Sequence, residues 1–222
     1  MRIIARGLAV AIALQLAALT AFAQAPVTYT ISVPEPEHHW LQVEATFPDG
    51  REESVRADYD VAATGSTPPL GGKVPPVDTP TAADVGGDLK RLTSDRSPDP
   101  RFYETSISEA LATGKPFVVS FATPAFCETR LCGPSLETVK TVAKDYPTIT
   151  FINVEPYRMK FESGSLQPEL DANGQLQPAE WTNAWGLRSE PYAFVVRADG
   201  TLGAKFEGIL GADELRAALD AL

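Results

Sequence analysis

Residues 117–134 read F-V-V-S-F-A-T-P-A-F-C-E-T-R-L-C-G-P and contain the two cysteines of the chain, Cys127 and Cys132. The run Phe117 to Ala122 is apolar apart from Ser120. A short run with no polar alternation leaves no face for water, so it reads as a strand covered on both sides. Pro134 opens a helix: its fixed φ suits a first turn, and its missing N–H belongs to a set that a first turn leaves unpaired anyway. Ser135 to Tyr146 continues that helix, with Leu136, Val139, Val142, Ala143 and Tyr146 at helical spacing. Both thiols therefore fall at a strand-to-helix turn. There they either close a small disulfide loop or act as a redox couple.

Reading outward, helices and strands alternate. Ser106-Ile107-Ser108-Glu109 is a capping box, and the helix it starts ends near Gly114. Ile149 to Val154 is a second buried strand, followed by a polar insert from Tyr157 to about Gln177. Pro178 to Trp185 reads as a short helix. Pro191 to Arg197, the turn Ala198-Asp199-Gly200, and Thr201 to Phe206 read as a hairpin. Asp213 to Leu222 is an amphipathic helix with Leu215, Ala218, Leu219 and Leu222 on one face. The order α-β-α-β-α-β-β-α predicts an α/β domain over 101–222, a mixed sheet with helices on both faces.

Upstream the composition changes. Met1 to Gly7 carries Arg2 and Arg6, Leu8 to Phe22 is an apolar run, and Ala21-Phe22-Ala23 is a small-x-small site. That is the order of a cleaved secretory signal peptide over 1–23, and the run is shorter than the roughly 20 residues of a membrane span. Residues 24–60 form a small β-rich unit, with Tyr29, Ile31 and Val33 alternating and Pro48-Asp49-Gly50 as a turn. Residues 61–100 read as a linker or irregular segment: Val61 to Pro80 is rich in Pro, Gly, Thr and Ala, and Thr81 to Pro100 is polar and irregular and could wrap the next domain. Removing Arg2 and Arg6 leaves 17 basic residues against 29 acidic ones, a net charge of −12. Such a surface repels nucleic acid and anionic lipid, so neither is expected as a partner, and no stable membrane anchoring is expected after cleavage. An exported chain meets an oxidising periplasmic or extracellular compartment, where two lone cysteines tend to pair.

The element order, the cysteines after the first central strand, the hairpin, Asp199-Gly200, Gly208 and the last helix resemble the thioredoxin family over about Phe102 to Leu222. Trp185-Gly186-Leu187-Arg188-Ser189-Glu190-Pro191 is similar to the stretch before that family's cis-proline, and Cys132-Gly133-Pro134 repeats part of its C-G-P-C signature. The resemblance implies a thioredoxin-like fold, a cis bond at Pro191 packed near the thiols, and backbone ahead of Pro191 free to pair with an extended substrate. There are departures. The spacing is C-x4-C, Ser135 stands where the second signature cysteine would be, and Ser120 stands where many members bury a carboxylate that accepts the resolving thiol's proton.

On one regular helix, residues five apart rise about 7.5 Å and point roughly 140° apart, so their Cα atoms lie beyond the ~7 Å that a disulfide spans. Cys127 is thus expected on the loop and Cys132 just before the helix. The readings of the pair are reversible exchange, a structural staple, or two free thiols. By order along the chain Cys127 takes the family's attacking position, whereas by the C-G-P string Cys132 does; the first is preferred, with Cys132 resolving. Pro191, Glu190 and Pro134 are the expected substrate-contacting residues, and Glu190 would discourage acidic partners. Trp181 and Trp185 read as core or cover, with a groove beside the thiols as the other reading. His38 and His39 raise the possibility of copper delivery, but no metal site and no cofactor are expected. The function expected is thiol–disulfide exchange with exported proteins and a redox partner protein, by a monomer. The alternative is a silent binding module with a structural disulfide.

Overall fold

The computed structural model describes residues 26–58 and 64–222. The signal peptide expected over 1–23 and the polar stretch around Tyr59 lie outside the described residues. Contacts divide the chain into two units, 1–63 and 64–222. In the first, β1 (Thr28–Ser32), β2 (Trp40–Thr46) and β3 (Glu52–Asp58) form an antiparallel sheet in the order β1-β2-β3. The register sets Ile31 beside Val43 and Val43 beside Val55, a single apolar row across the three strands. Among the described residues, no helix is long and apolar enough to cross a membrane.

The second unit is built on a four-stranded sheet in the order β5-β4-β8-β9. Its strands are β4 (Phe117–Phe121), β5 (Thr150–Val154), β8 (Tyr192–Val196) and β9 (Leu202–Glu207). β4 pairs with β5 in parallel and with β8 antiparallel, and β8 pairs with β9 antiparallel. Every residue of β4 and of β8 is buried, as sequences apolar but for Ser120 require. One face carries Val118, Ala122, Phe151, Ala193 and Val195 beneath α2 (Cys132–Ala143) and α4 (Ala212–Asp220), which contribute Leu136, Val139, Val142, Leu215 and Leu219. The other carries Phe117, Val119, Phe121, Ile152, Phe194 and Val196 with Ile107 and Ala110 of α1 (Ile107–Ala112), and with Trp185 just after α3 (Glu180–Ala184). Burying each Leu, Val or Phe in these layers contributes about 1.5–3 kcal/mol, so the sheet and its two covers form one cooperative core. The fold is the expected mixed sheet with helices on both faces.

Three boundaries differ from the sequence reading. α2 starts at Cys132, two residues before Pro134, because Leu131 already takes helical dihedrals as its cap and no side-chain cap fixes a later start. Pro134 then occupies the third helical position, where its missing N–H is still one of the unpaired four. The insert after β5 is a hairpin, β6 (Met159–Glu162) and β7 (Ser165–Pro168), turned by Ser163 and Gly164, both at positive φ. Residues 64–100 belong to the second unit and pack along it. Val74 is buried among Ile107 and Phe117, Lys73 bridges Thr201, Ile107 N donates to Thr79 Oγ1 at 3.1 Å, and Ala82 N donates to the Tyr103 carbonyl at 2.7 Å. Single anchoring residues hold this segment, so it shows no helical or strand period.

Candidate active site

The cysteine loop leaves β4 at Phe121 and enters α2 at Cys132. Cys127 and Cys132 form a disulfide with Cα atoms 6.0 Å apart, and Arg130 between them takes a positive φ that turns the chain back onto the helix. Cys127 lies on the loop and is half-buried, while Cys132, as the first helical residue, is 0% exposed. Cys127 Sγ accepts from the Cys132 backbone N–H at 3.2 Å and lies 3.2 Å from Thr129 Oγ1. The reachable sulfur thus sits against the positive end of a twelve-residue helix, a placement that favours a thiolate.

The peptide bond Glu190–Pro191 is cis, and Pro191 is buried ahead of β8. Its carbonyl accepts from Gly208 N at 2.8 Å, and the Gly208 carbonyl accepts from Ser135 Oγ at 2.9 Å. Ser135, which stands where the signature has its second cysteine, thereby ties α2 to the end of β9 and to Pro191. Glu190 is 4% exposed. Its Oε1 accepts from Glu128 N at 3.0 Å, and its Oε2 accepts from the Tyr157 hydroxyl at 2.5 Å. A carboxylate oxygen of Glu190 lies within 4.8 Å of both sulfurs, and this is the one grouping of three potential metal-ligand side chains among the described residues. The Glu190 carbonyl accepts from Thr129 Oγ1 at 3.1 Å. The backbone expected to be open to a substrate is therefore partly occupied by the loop itself.

Of the expected site residues, Cys127, Cys132, Glu190 and Pro191 come together. Pro134 is exposed on the first turn of α2. Ser120 is buried on the α2 face of the sheet, beside Asn153 of β5 and Ala193 of β8. Trp185 is fully buried, with its ring 4.9 Å from that of Phe194 and 5.4 Å from that of Phe121. Trp181 is half-buried and donates from Nε1 to the Glu155 carbonyl at 2.7 Å. Both tryptophans are core and cover. His38 and His39 lie in the first unit.

Two contributors were not read from the sequence. Tyr157 is the first residue of the insert, and only the topology brings its hydroxyl to Glu190. Burial pushes that hydroxyl's pKa up, and the hydrogen bond to Glu190 pushes it further, so it stays a donor. The second contributor is an open groove of ≈740 Å³ beside the loop, between Ala125-Phe126, the stretch Ser94 to Arg96, and Ser165 to Gln167 of β7. Behind it Glu155 is buried, and its Oε1 accepts from Ser94 N at 2.6 Å. Burial raises its pKa, and hydrogen bonds from residues 93, 94 and 123 offset part of that rise.

A family model for a thioredoxin-like domain matches residues 103–222, which includes every residue of the cysteine loop and of the Glu190–Pro191 turn. Among curated proteins, none matches the chain.

Proposed function

The chain belongs to the thioredoxin-like family, and from that premise we propose that it is an exported thiol–disulfide oxidoreductase exchanging disulfides through Cys127 and Cys132. The family and the paired cysteines support a disulfide-related role. Reversible exchange is supported by the asymmetry of the pair. Cys127 is reachable and sits at a helix N-terminus, while Cys132 is sealed beneath the loop. An incoming disulfide can reach only the Cys127 sulfur. The mixed disulfide so formed is resolved by Cys132, five residues on.

The partners proposed are exported proteins bearing thiols or disulfides, together with a redox partner protein that resets the pair. Export rests on the 1–23 segment, and the protein acts as a monomer in the periplasm or outside the cell. The groove beside Ala125 and Phe126 would take the chain flanking the partner's cysteine, and Glu190 and Glu128 beside the thiols select against acidic partners. Pro191 and Pro134 are proposed to border the substrate.

The test is trapping. After exposure of the reduced protein to oxidised glutathione, Cys132→Ser should hold a stable glutathione adduct on Cys127, and Cys127→Ser should hold none. Alkylation followed by mass spectrometry reads both. An adduct only on the variant retaining Cys132 reverses the roles. No adduct on either makes the disulfide a staple and the domain a binding module.

A further inference from the structure

The resolving step needs a base. Cys132 is fully buried, so water cannot freely take its proton, and a carboxylate in the preceding strand is missing because β4 carries Ser120. We propose that Glu190 is the proton acceptor for Cys132, a role that rests on the exchange reading above. Its carboxylate lies within 4.8 Å of both sulfurs, a gap that one bridging water spans. It is buried but not isolated: Glu128 N holds one oxygen and the Tyr157 hydroxyl holds the other. These two donors fix the carboxylate's position beside the thiols. The titratable groups facing it are Cys127 and Cys132 from the loop and α2, and Tyr157 from the segment after β5. The Glu128 carboxylate acts on that same hydroxyl.

The chemistry balances without a cofactor. The Cys127 thiolate attacks one sulfur of a substrate disulfide, and the first substrate thiolate leaves and takes up the proton that Cys127 gave to solvent. Cys132 then attacks the Cys127 sulfur as its proton passes to Glu190. The bond between Cys127 and the substrate sulfur breaks, and the second substrate sulfur leaves with the electron pair and takes the proton back from Glu190. The substrate disulfide is reduced to two thiols, and the protein dithiol is oxidised to its disulfide.

The experiment uses the reduced full chain mixed rapidly with 5,5′-dithiobis(2-nitrobenzoate), whose leaving thiolate is coloured and needs no proton. Absorbance then resolves two phases, attack by Cys127 and resolution by Cys132, and Cys132→Ser identifies the first by retaining it alone. Glu190→Gln should leave the first phase as fast or faster, and a wild-type near-UV circular dichroism spectrum and melting temperature show that the variant is folded. It should slow the second about 100-fold at neutral pH, within the range of a positioned base, and make that rate rise with hydroxide concentration. Tyr157→Phe removes one of the two hydrogen bonds that position the carboxylate, so the second phase should slow while the first keeps its rate. A second phase in Glu190→Gln with the wild-type rate and pH profile overturns the assignment while leaving exchange intact. A wild-type protein that stalls at the Cys127 adduct overturns both.

Discussion

Gly186→Ala should be among the most damaging single-methyl changes in the second unit, and the structure allows its cost to be split. Gly186 has φ +65°, and a Cβ built there would lie 1.9 Å from the Ser66 carbonyl oxygen and 2.7 Å from its carbon. Gly71 has φ +76° with nothing within 4 Å of such a Cβ, and its N–H to the Leu202 carbonyl survives as alanine. Gly71→Ala therefore measures the left-handed backbone alone, about 1–2 kcal/mol. Gly186→Ala carries the same term plus a clash with main chain, which cannot rotate away. Ser66 would have to move by more than 1 Å, pulling Thr67 from its contact with Lys205 Nζ at 3.0 Å; overpacking of this kind costs a further ~1–3 kcal/mol. At about 2–4 °C per kcal/mol for a chain of this size, Gly71→Ala should melt roughly 2–8 °C below wild type and Gly186→Ala roughly 4–20 °C below, always the lower of the two. Limited proteolysis should show the 64–73 segment cut faster only in Gly186→Ala. Equal melting temperatures in the two variants would refute the contact between Gly186 and Ser66. Because Gly186 lies four residues before Glu190, the same variant should also slow exchange.

Glu155 carries a pKa raised by burial, so its stabilising contribution is complete below its ordinary value of 4.5 and is lost as pH rises through the raised one. Glu155→Gln should accordingly gain melting temperature relative to wild type between pH 4 and pH 8, and a pH-independent difference would sink the argument. Reduction of Cys127–Cys132 should lower the melting temperature only modestly, since so short a loop constrains the unfolded chain by less than the ~3 kcal/mol of a 15-residue loop; two titratable thiols in protein purified under oxidising conditions would contradict the pairing. Exported protein should begin at Gln24, and an intact mass that retains Met1 would remove the export proposal.

The strands and helices around the cysteines were legible because their signals are local. Phe117 to Phe121 and Tyr192 to Val196 are apolar without alternation, and Leu136, Val139 and Val142 repeat at helical spacing. The placement of Cys127 on the loop and of Glu190 beside the thiols was also readable, the first from helix geometry and the second from the stretch ahead of Pro191. The partners of Glu190 were not. Tyr157 is 33 residues from it in sequence, and no composition rule links a residue opening an insert to a turn before β8. The insert hid its hairpin because its strands are four residues each and only Leu166 among them is buried; Ser163-Gly164 was the turn signal between them. The 64–100 segment looked like a linker because it is rich in Pro and Gly, and composition does not show which of its few apolar residues find a socket.

That segment has a consequence for where this domain ends. The family match begins at residue 103, but β9 is an outer strand, and residues 71–74 lie along its beginning: Gly71 N donates to the Leu202 carbonyl and Leu202 N to the Gly72 carbonyl, each at 2.8 Å. At the opposite margin the turn at 100–103 covers β5, with Phe102 stacked on Phe151 at 5.6 Å between ring centroids. An uncovered outer strand is a template for pairing with another chain. Cutting the protein at the family boundary would strip both margins, empty the socket of Val74, and leave a sheet prone to self-association. The compact unit that keeps its margins shut runs from Thr64 to Leu222, so the stretch poorest in regular structure keeps the sheet from recruiting its neighbours.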